Sequence, residues 1–307
     1  RGMRSAAAPD EAFKLRLGGL SAFMSQDNKV WYRLEIDPDQ ATQKWDFNGQ
    51  VPVGRSANAA LIDMEQNPLA NASSDSQGKF SFRDLSLDQG SYFIELETPE
   101  SGYLRSMETI SVGERVKGAE AEPNDRVTLA NRVDLSQPLQ GQLAASGDSD
   151  WFMFSLDESG ADRMLALQLS ANADSKITLC LTNIRGQRLQ CRERSGGVEL
   201  PDLLLTPGDW GFLVERGKAG TQYAVSLIDQ GAIDAGREAE PNERLEFAST
   251  IPGKKRIKGR FTGDDADFYK LMITVEPQLW RIQVIGQGIF ELGYIDASGA
   301  QSQTYRV

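Results

Sequence analysis

One phrase occurs twice in this chain: Glu120-Ala-Glu-Pro-Asn-Asp125 and Glu238-Ala-Glu-Pro-Asn-Glu243. Each copy is followed by an acidic cluster that runs into aromatics, Gly147-Asp-Ser-Asp-Trp-Phe152 and Gly263-Asp-Asp-Ala-Asp-Phe-Tyr269. The offset is 240 − 122 = 118 for the glutamate before proline and 267 − 150 = 117 for the aspartate before the aromatic. Two separated landmarks at nearly one offset mean a repeated domain, so the chain folds as a series of similar units.

The repetition extends beyond those landmarks. Asp202-Leu-Leu-Leu-Thr-Pro-Gly208-Asp-Trp-Gly-Phe-Leu-Val214 matches Asp84-Leu-Ser-Leu-Asp-Gln-Gly90-Ser-Tyr-Phe-Ile-Glu-Leu96, again 118 apart. Trp31 matches Trp151, and Leu61 to Leu69 matches Leu181 to Leu189. The organisation expected is a leader or linker at 1–11 and units at 12–118, 119–236 and 237–307. The third unit stops early: it has a turn at Asp296-Ala-Ser-Gly299 but nothing matching Leu203 to Val214. With its start at Arg1, this reads as a piece of a longer protein.

Each unit reads as all-β. Short alternating runs are separated by Gly, Asn, Asp and Pro clusters, and no helical stripe exceeds two turns. After the acidic cluster, Phe152, Phe154 and Leu156 share one face, as do Tyr32, Leu34 and Ile36, and Tyr269, Leu271 and Ile273. Residues two apart point the same way, so this face is the expected core. The other face is mixed, which fits an antiparallel sandwich of jelly-roll type. The fold expected is three tandem β-sandwiches, the third incomplete.

Absences limit the function. The 307 residues contain no histidine, which excludes Ser-His-Asp or Cys-His nucleophilic centres and His-ligated metal sites in this segment. A net charge of −11 argues against nucleic acid as a partner. No apolar run approaches the length of a membrane span, and the first residues carry no signal-peptide core. A secreted, periplasmic or cell-surface setting fits this composition.

Cys180 and Cys191 lie equally far from a turn centred between Arg185 and Gly186, so a hairpin would set them opposite each other. A structural disulfide and two independent small hydrophobes are both open. Ala60 with Asn71 and Gly293 with Thr304 take these places in the other units.

The acidic phrases carry whatever chemistry is present. In an extended segment Glu120, Glu122 and Asn124 point to one side. Adding Asp148 and Asp150 would gather four carboxylates and an amide, a repulsive set that a hard cation with oxygen ligands resolves. Calcium fits best, because it accepts six to eight oxygens in irregular geometry. Solvated interdomain linkers are the alternative.

The order EAEPND, Leu139-x-Gly141-x-Leu143, GDSDWFMFSL, Asn183-x-x-Gly186 and Leu205-Thr-Pro-Gly208-Asp-Trp210 resembles the bacterial pre-peptidase C-terminal (PPC) domain. That family consists of β-sandwich appendages of secreted proteases and other exported proteins, related to calcium-binding collagen-binding modules. The resemblance implies calcium ligands among Glu120, Glu122, Asn124, Asp125, Asp148 and Asp150. In the third unit it implies Glu238, Glu240, Asn242, Glu243, Asp264 and Asp267. The first unit lacks the phrase, and Lys29 in Gln26-Asp-Asn-Lys29 is expected to put a cation where Asp150 sits, so no calcium is expected there.

Trp31, Trp151 and Phe268 lie on the mixed face, where they could stack on a sugar or pack beneath a loop. The basic run Lys254 to Arg260 reads as a charged edge strand or as a site for an acidic glycan. The function expected is a non-catalytic spacer or scaffold working through domain–domain or protein contacts. The alternative is a matrix- or polysaccharide-binding module appended to a secreted hydrolase or peptidase. An enzyme within this segment is not expected.

Overall fold

The computed structural model describes residues 5–99, 104–116, 118–145, 147–161, 163–172, 176–253, 256–261, 266–273, 279–287, 289, 291–296, 298 and 300–306. The fold is all-β and built from antiparallel sheets, with only short helical turns among the described residues.

The first unit has nine strands: β1 (Phe13–Lys14), β2 (Leu20–Met24), β3 (Lys29–Ile36), β4 (Gln43–Gln50), β5 (Asn58–Ile62), β6 (Pro68–Ser73), β7 (Lys79–Leu85), β8 (Gly90–Glu97) and β9 (Leu104–Glu114). They form a five-stranded sheet, β1-β3-β8-β5-β6, and a four-stranded sheet, β2-β9-β4-β7. The second unit repeats this with β10 (Asn131–Arg132), β11 (Leu139–Leu143), β12 (Ser149–Leu156), β13 (Arg163–Ala171), β14 (Lys176–Thr182), β15 (Arg188–Ser195), β16 (Gly197–Leu203), β17 (Gly208–Glu215) and β18 (Thr221–Ala232). Its sheets run β10-β12-β17-β14-β15 and β11-β18-β13-β16, the same order strand for strand.

Period-two alternation builds both cores. Tyr32, Leu34 and Ile36 of β3 are buried with Phe47 of β4 and Ile94 of β8. Phe152 and Phe154 of β12 are buried with Leu167 of β13 and Phe212 of β17. Phe152 stacks on Phe212 with ring centroids 4.8 Å apart. Burying such a side chain contributes about 2–3 kcal/mol, so these two apolar sets account for most of the driving force.

The hairpin registers match the sequence reading. Cys180 pairs with Cys191, Ala60 with Asn71, and Gly293 with Thr304. Cys180 and Cys191 form a disulfide across β14 and β15, with Cα atoms 4.1 Å apart.

The third unit departs from expectation. It shows β19 (Ser249–Thr250), β20 (Tyr269–Lys270), β21 (Glu291–Ile295) and β22 (Gln301–Arg306), in two separate two-stranded pieces. Tyr269 and Ile273, read as core residues, are exposed at 38% and 53%. The cause is topological: in the complete units β8 and β17 lie between the strands equivalent to β20 and β21. Among the described residues β20 pairs with β19, and no strand occupies the central place that β8 and β17 hold.

A short lead-in precedes each unit. A 3-10 turn occurs at Pro9–Glu11, Val127–Leu129 and Leu245–Phe247, followed by a two-residue strand parallel to the next long one. The backbone N–H groups of Trp31, Trp151 and Phe268 donate to Ala6, Asn124 and Asn242 carbonyls. Ala6, read from sequence within a leader, therefore holds in the first unit the place of Asn124 and Asn242, and residues 6–11 follow the backbone path of 124–129 and 242–247. Sequence comparison misses this because the shared feature is a backbone path, and the side chains along it differ.

Candidate metal centre

The lead-in of the second unit is fixed to its own sheets on both sides. Glu120 N–H donates to Gln140 O (2.9 Å), Ala121 N–H to Asn131 Oδ1 (2.8 Å), and Asn131 Nδ2 returns a bond to Ala121 O (2.8 Å). This extended course, with cis peptides at Glu122–Pro123 and Glu240–Pro241, turns the alternate residues Glu120, Glu122 and Asn124 inward. All three are buried, and Asn124 is fully so. Asp150, at the start of β12, is fully buried beside them.

Glu120, Glu122 and Asp150 each present a carboxylate oxygen within 4.8 Å of the other two. The carboxylates are held by donors: Gln142 N–H to Glu120 Oε2 (2.6 Å), Asn124 N–H to Glu122 Oε2 (2.9 Å), and Tyr223 Oη–H to Asp150 Oδ2 (2.5 Å). Asn124 Nδ2 lies 3.4 Å from Glu120 Oε1, which places its amide against the cluster. Asn124 Oδ1 and Asp150 Oδ1 are buried and accept no hydrogen bond among the described residues.

The electrostatics match that crowding. Burial raises Glu120 to about 7. Burial, then the charges of Glu120 and Asp148, push Glu122 to about 9. Asp150 is raised well above its ordinary value by burial and then by Glu120. Tyr223 is likewise raised, first by burial and then by Asp150. Removing a carboxylate from water costs several kcal/mol, and each orphaned buried acceptor about 1–3 kcal/mol more. Protons offset the first cost but leave the acceptors unsatisfied; a hard cation offsets both. The donor set is all oxygen, so the residues fit calcium and offer a soft metal nothing.

Asp148 and Asp125 sit at the rim. Asp148 accepts from Ala144 N–H (2.5 Å) and Ser149 N–H (2.9 Å), which shapes the loop before β12. Asp125 is exposed, with its carboxyl raised to about 6 by desolvation and a hydrogen bond shared with Asp148. The cluster thus comprises Glu120, Glu122, Asn124 and Asp150, with the other two candidates beside it.

The third unit repeats the arrangement. Carboxylate oxygens of Glu238, Glu240 and Asp267 lie within 4.8 Å of one another, and Asn242 is fully buried with its Oδ1 accepting no hydrogen bond among the described residues. Asn242 N–H donates to Glu240 Oε2 (2.8 Å), and Arg260 N–H donates to Glu238 Oε1. Glu243 is half-buried. Asp264 lies outside the described residues.

Sequence reasoning missed the tyrosines. Tyr223 comes from β18, 73 residues after Asp150 in an ordinary alternating strand. In the third unit Tyr269 Oη donates to Glu238 Oε2 (2.5 Å) and Asp267 Oδ2 (3.3 Å). The available signal was the glycine of the Leu139-x-Gly141-x-Leu143 strand. A Cβ on Gly141 would lie 2.3 Å from Tyr223 Cζ, and one on Gly259 would lie 2.5 Å from Tyr269 Oη. Both glycines leave the space that a phenol fills.

The first unit holds different chemistry at every one of these positions. Ala6 stands for Asn124, Phe23 for Gly141, and Arg105 for Tyr223, since Arg105 pairs with Phe23 as Tyr223 pairs with Gly141. The expectation for Lys29 is corrected: strand alignment puts Val30, fully buried, at the place of Asp150. Lys29 points elsewhere and pairs with Glu95 at 2.8 Å. The internal cation is Arg105, only 1% exposed, whose Nη2 donates to Asp27 O (2.8 Å) and Thr98 Oγ1 (2.9 Å). Asp27 Oδ2 in turn accepts Ala6 N–H (3.2 Å), so guanidinium and lead-in meet on one residue.

Trp31, Trp151 and Phe268 are half-buried, and Lys254 and Lys255 of the basic run lie outside the described residues. The Trp151 ring lies 3.3 Å from where a Cβ of Gly186 would stand, beneath the Asn183–Gln187 turn. Trp31 packs edge-on against Phe93 at 6.0 Å. Neither forms an open stacking platform. From the basic run, Lys258 pairs with Arg237 at the edge of the third lead-in.

No family model matches the chain, and no curated protein matches it. Among solved structures it aligns with a protein of Eubacterium rectale assigned as secreted (8% identity, 74% of this chain and 81% of that one, TM-score 0.24). It also aligns with an anti-sigma factor domain-containing protein from Clostridium clariflavum (11%, 67% and 81%, 0.22). A third is the tandem CBM22 domain from Paenibacillus barcinonensis Xyn10C (10%, 72% and 94%, 0.21). Likeness at these TM-scores fixes neither ancestry nor function. Among the described residues no helix is long and apolar enough to cross a membrane.

Proposed function

We propose that the chain is a non-catalytic tandem module of an exported bacterial protein, a spacer or scaffold whose second and third units are stabilised by calcium at their lead-ins. The carrying observation is the all-oxygen cluster with an orphaned buried asparagine oxygen, present in both the second and the third unit. Glu120, Glu122, Asn124 and Asp150 would hold the ion in the second unit; Glu238, Glu240, Asn242 and Asp267 would hold it in the third. The bound ion supplies positive charge to oxygen atoms that the fold has already withdrawn from water. The motif order supports a PPC-like assignment with units at 12–118, 119–236 and 237–307. Partners are proteins or glycans.

The test is thermal melting with calcium and with chelator across pH. At calcium a hundredfold above Kd each occupied unit gains about 2.7 kcal/mol, while the first unit, which holds no such cluster, gains less. In chelator, Glu120 and Glu122 titrate near 7 and 9 when folded, against about 4.5 when unfolded. The folded state therefore holds more protons between those values, and stability is lost as pH rises from about 5 to 9. With calcium the sign reverses, because binding requires the ionised carboxylates. Equal melting with and without calcium at pH 8 would contradict the proposal.

A further inference from the structure

Each candidate cation cluster shares a residue with the junction to the preceding unit. The carbonyl of Glu122 accepts Ser86 N–H of the first unit at 2.6 Å, and Leu85 and Glu122 form a parallel bridge. The carbonyl of Glu240 accepts Leu204 N–H of the second unit at 2.8 Å, beside the bridge between Leu203 and Glu240, and Glu240 N–H donates to Asp202 O at 2.8 Å. The two junctions are spaced 204 − 86 = 118 and 240 − 122 = 118 apart, so the contact belongs to the repeat.

The approach is shaped by backbone geometry at the same point. Asp84 and Asp202 both adopt left-handed φ, 52° and 62°, one residue before the bridge. Aspartate tolerates that region better than most residues, yet it remains a strained conformation for any side chain. Each junction retains that strain where the preceding unit's strand turns to meet the next lead-in. Lys44 and Asp84 of the first unit line one wall of a cleft whose other wall includes Glu120, Glu122 and Gln142. The first unit therefore stands over the cluster.

Glu122 is consequently held from two sides. Its carboxylate belongs to the cation cluster, its carbonyl to the first unit, and its neighbours Ala121 and Asn124 are bonded to the second. Moving that carboxylate moves the carbonyl, since three rotatable side-chain bonds are all that separate them. We infer that calcium at each cluster clamps the junction to the preceding unit, so that the ion sets the stiffness of the tandem chain as well as the stability of one domain. This rests on the calcium reading above. It goes beyond that reading by naming what the ion controls, the relative freedom of successive units.

The experiment places spin labels on the whole chain at Glu65→Cys and Arg185→Cys, exposed positions on matching turns of the first two units. Distances are measured with calcium and with chelator, and calcium binding is measured by calorimetry on the same labelled protein. The clamp predicts a narrow distance distribution with calcium and a broad one without, and no narrowing in Asp150→Asn. Coupling is reciprocal, so Ser86→Pro, which removes the donor to Glu122, should weaken calcium at the second unit by about fivefold or more. Leu204→Pro should do the same to the third unit alone, a control against misfolding of the first. Calcium bound with an unchanged distance distribution overturns the clamp and leaves the calcium reading standing. No calcium bound overturns both.

Discussion

At the residue scale, four positions separate the chemistry of the first unit from that of the second. Asn124 and Asp150 join the oxygen cluster beside Gly141 and Tyr223; Ala6, Val30, Phe23 and Arg105 stand there instead, a guanidinium over an apolar wall. A fixed positive side chain thus stands in the first unit where the others gather carboxylates. Arg105→Met keeps the length but leaves the Asp27 carbonyl and Thr98 Oγ1 without this donor. At about 1–3 kcal/mol per orphaned group, the first unit should lose about 3 kcal/mol, read from its own denaturant midpoint in calcium and in chelator alike. The carboxylates were legible in the sequence because they cluster within a few residues of two repeated phrases. Arg105 and Tyr223 were not: each sits in an ordinary alternating strand, far along the chain from its partners.

At the scale of elements, the hairpins were the most legible part. Turn symmetry about Arg185 and Gly186 placed Cys180 opposite Cys191, and the backbone register puts them there. Linking residues 11 apart restricts the unfolded chain, a contribution of about 2–3 kcal/mol. Reduction should lower the second unit's unfolding free energy by that amount, read from its denaturant midpoint, and leave the first unit's unchanged, since β5 and β6 carry Ala60 and Asn71 instead. What the sequence hid at this scale was closure. Alternation in Tyr269, Leu271 and Ile273 is a sound reading of a core-facing strand, but a strand buries a face only when a neighbour and an opposing sheet are present. Local pattern carries no information about whether those arrive. The lead-in of the first unit was hidden for the opposite reason, because its backbone path is kept while its side chains have changed.

At the scale of the whole molecule, two complete sandwiches are followed by the two strand pairs of the third unit, and the candidate oxygen cluster occurs in the second and third units. The offsets were legible in the sequence, whereas the place of Asp150 in the first unit, read there as Lys29, is held by Val30. The junctions became visible only in three dimensions, since Ser86 and Leu204 are unremarkable in sequence and act through their backbone N–H groups. Together these features describe a chain whose second and third units carry the candidate clusters and share a residue of each with the joint before it. Calorimetric titration of calcium into the whole chain tests that division most directly. The account predicts two bound ions per chain, falling to one in Asp150→Asn and to one in Asp267→Asn. Zero or three ions, or two that survive either substitution, would contradict it.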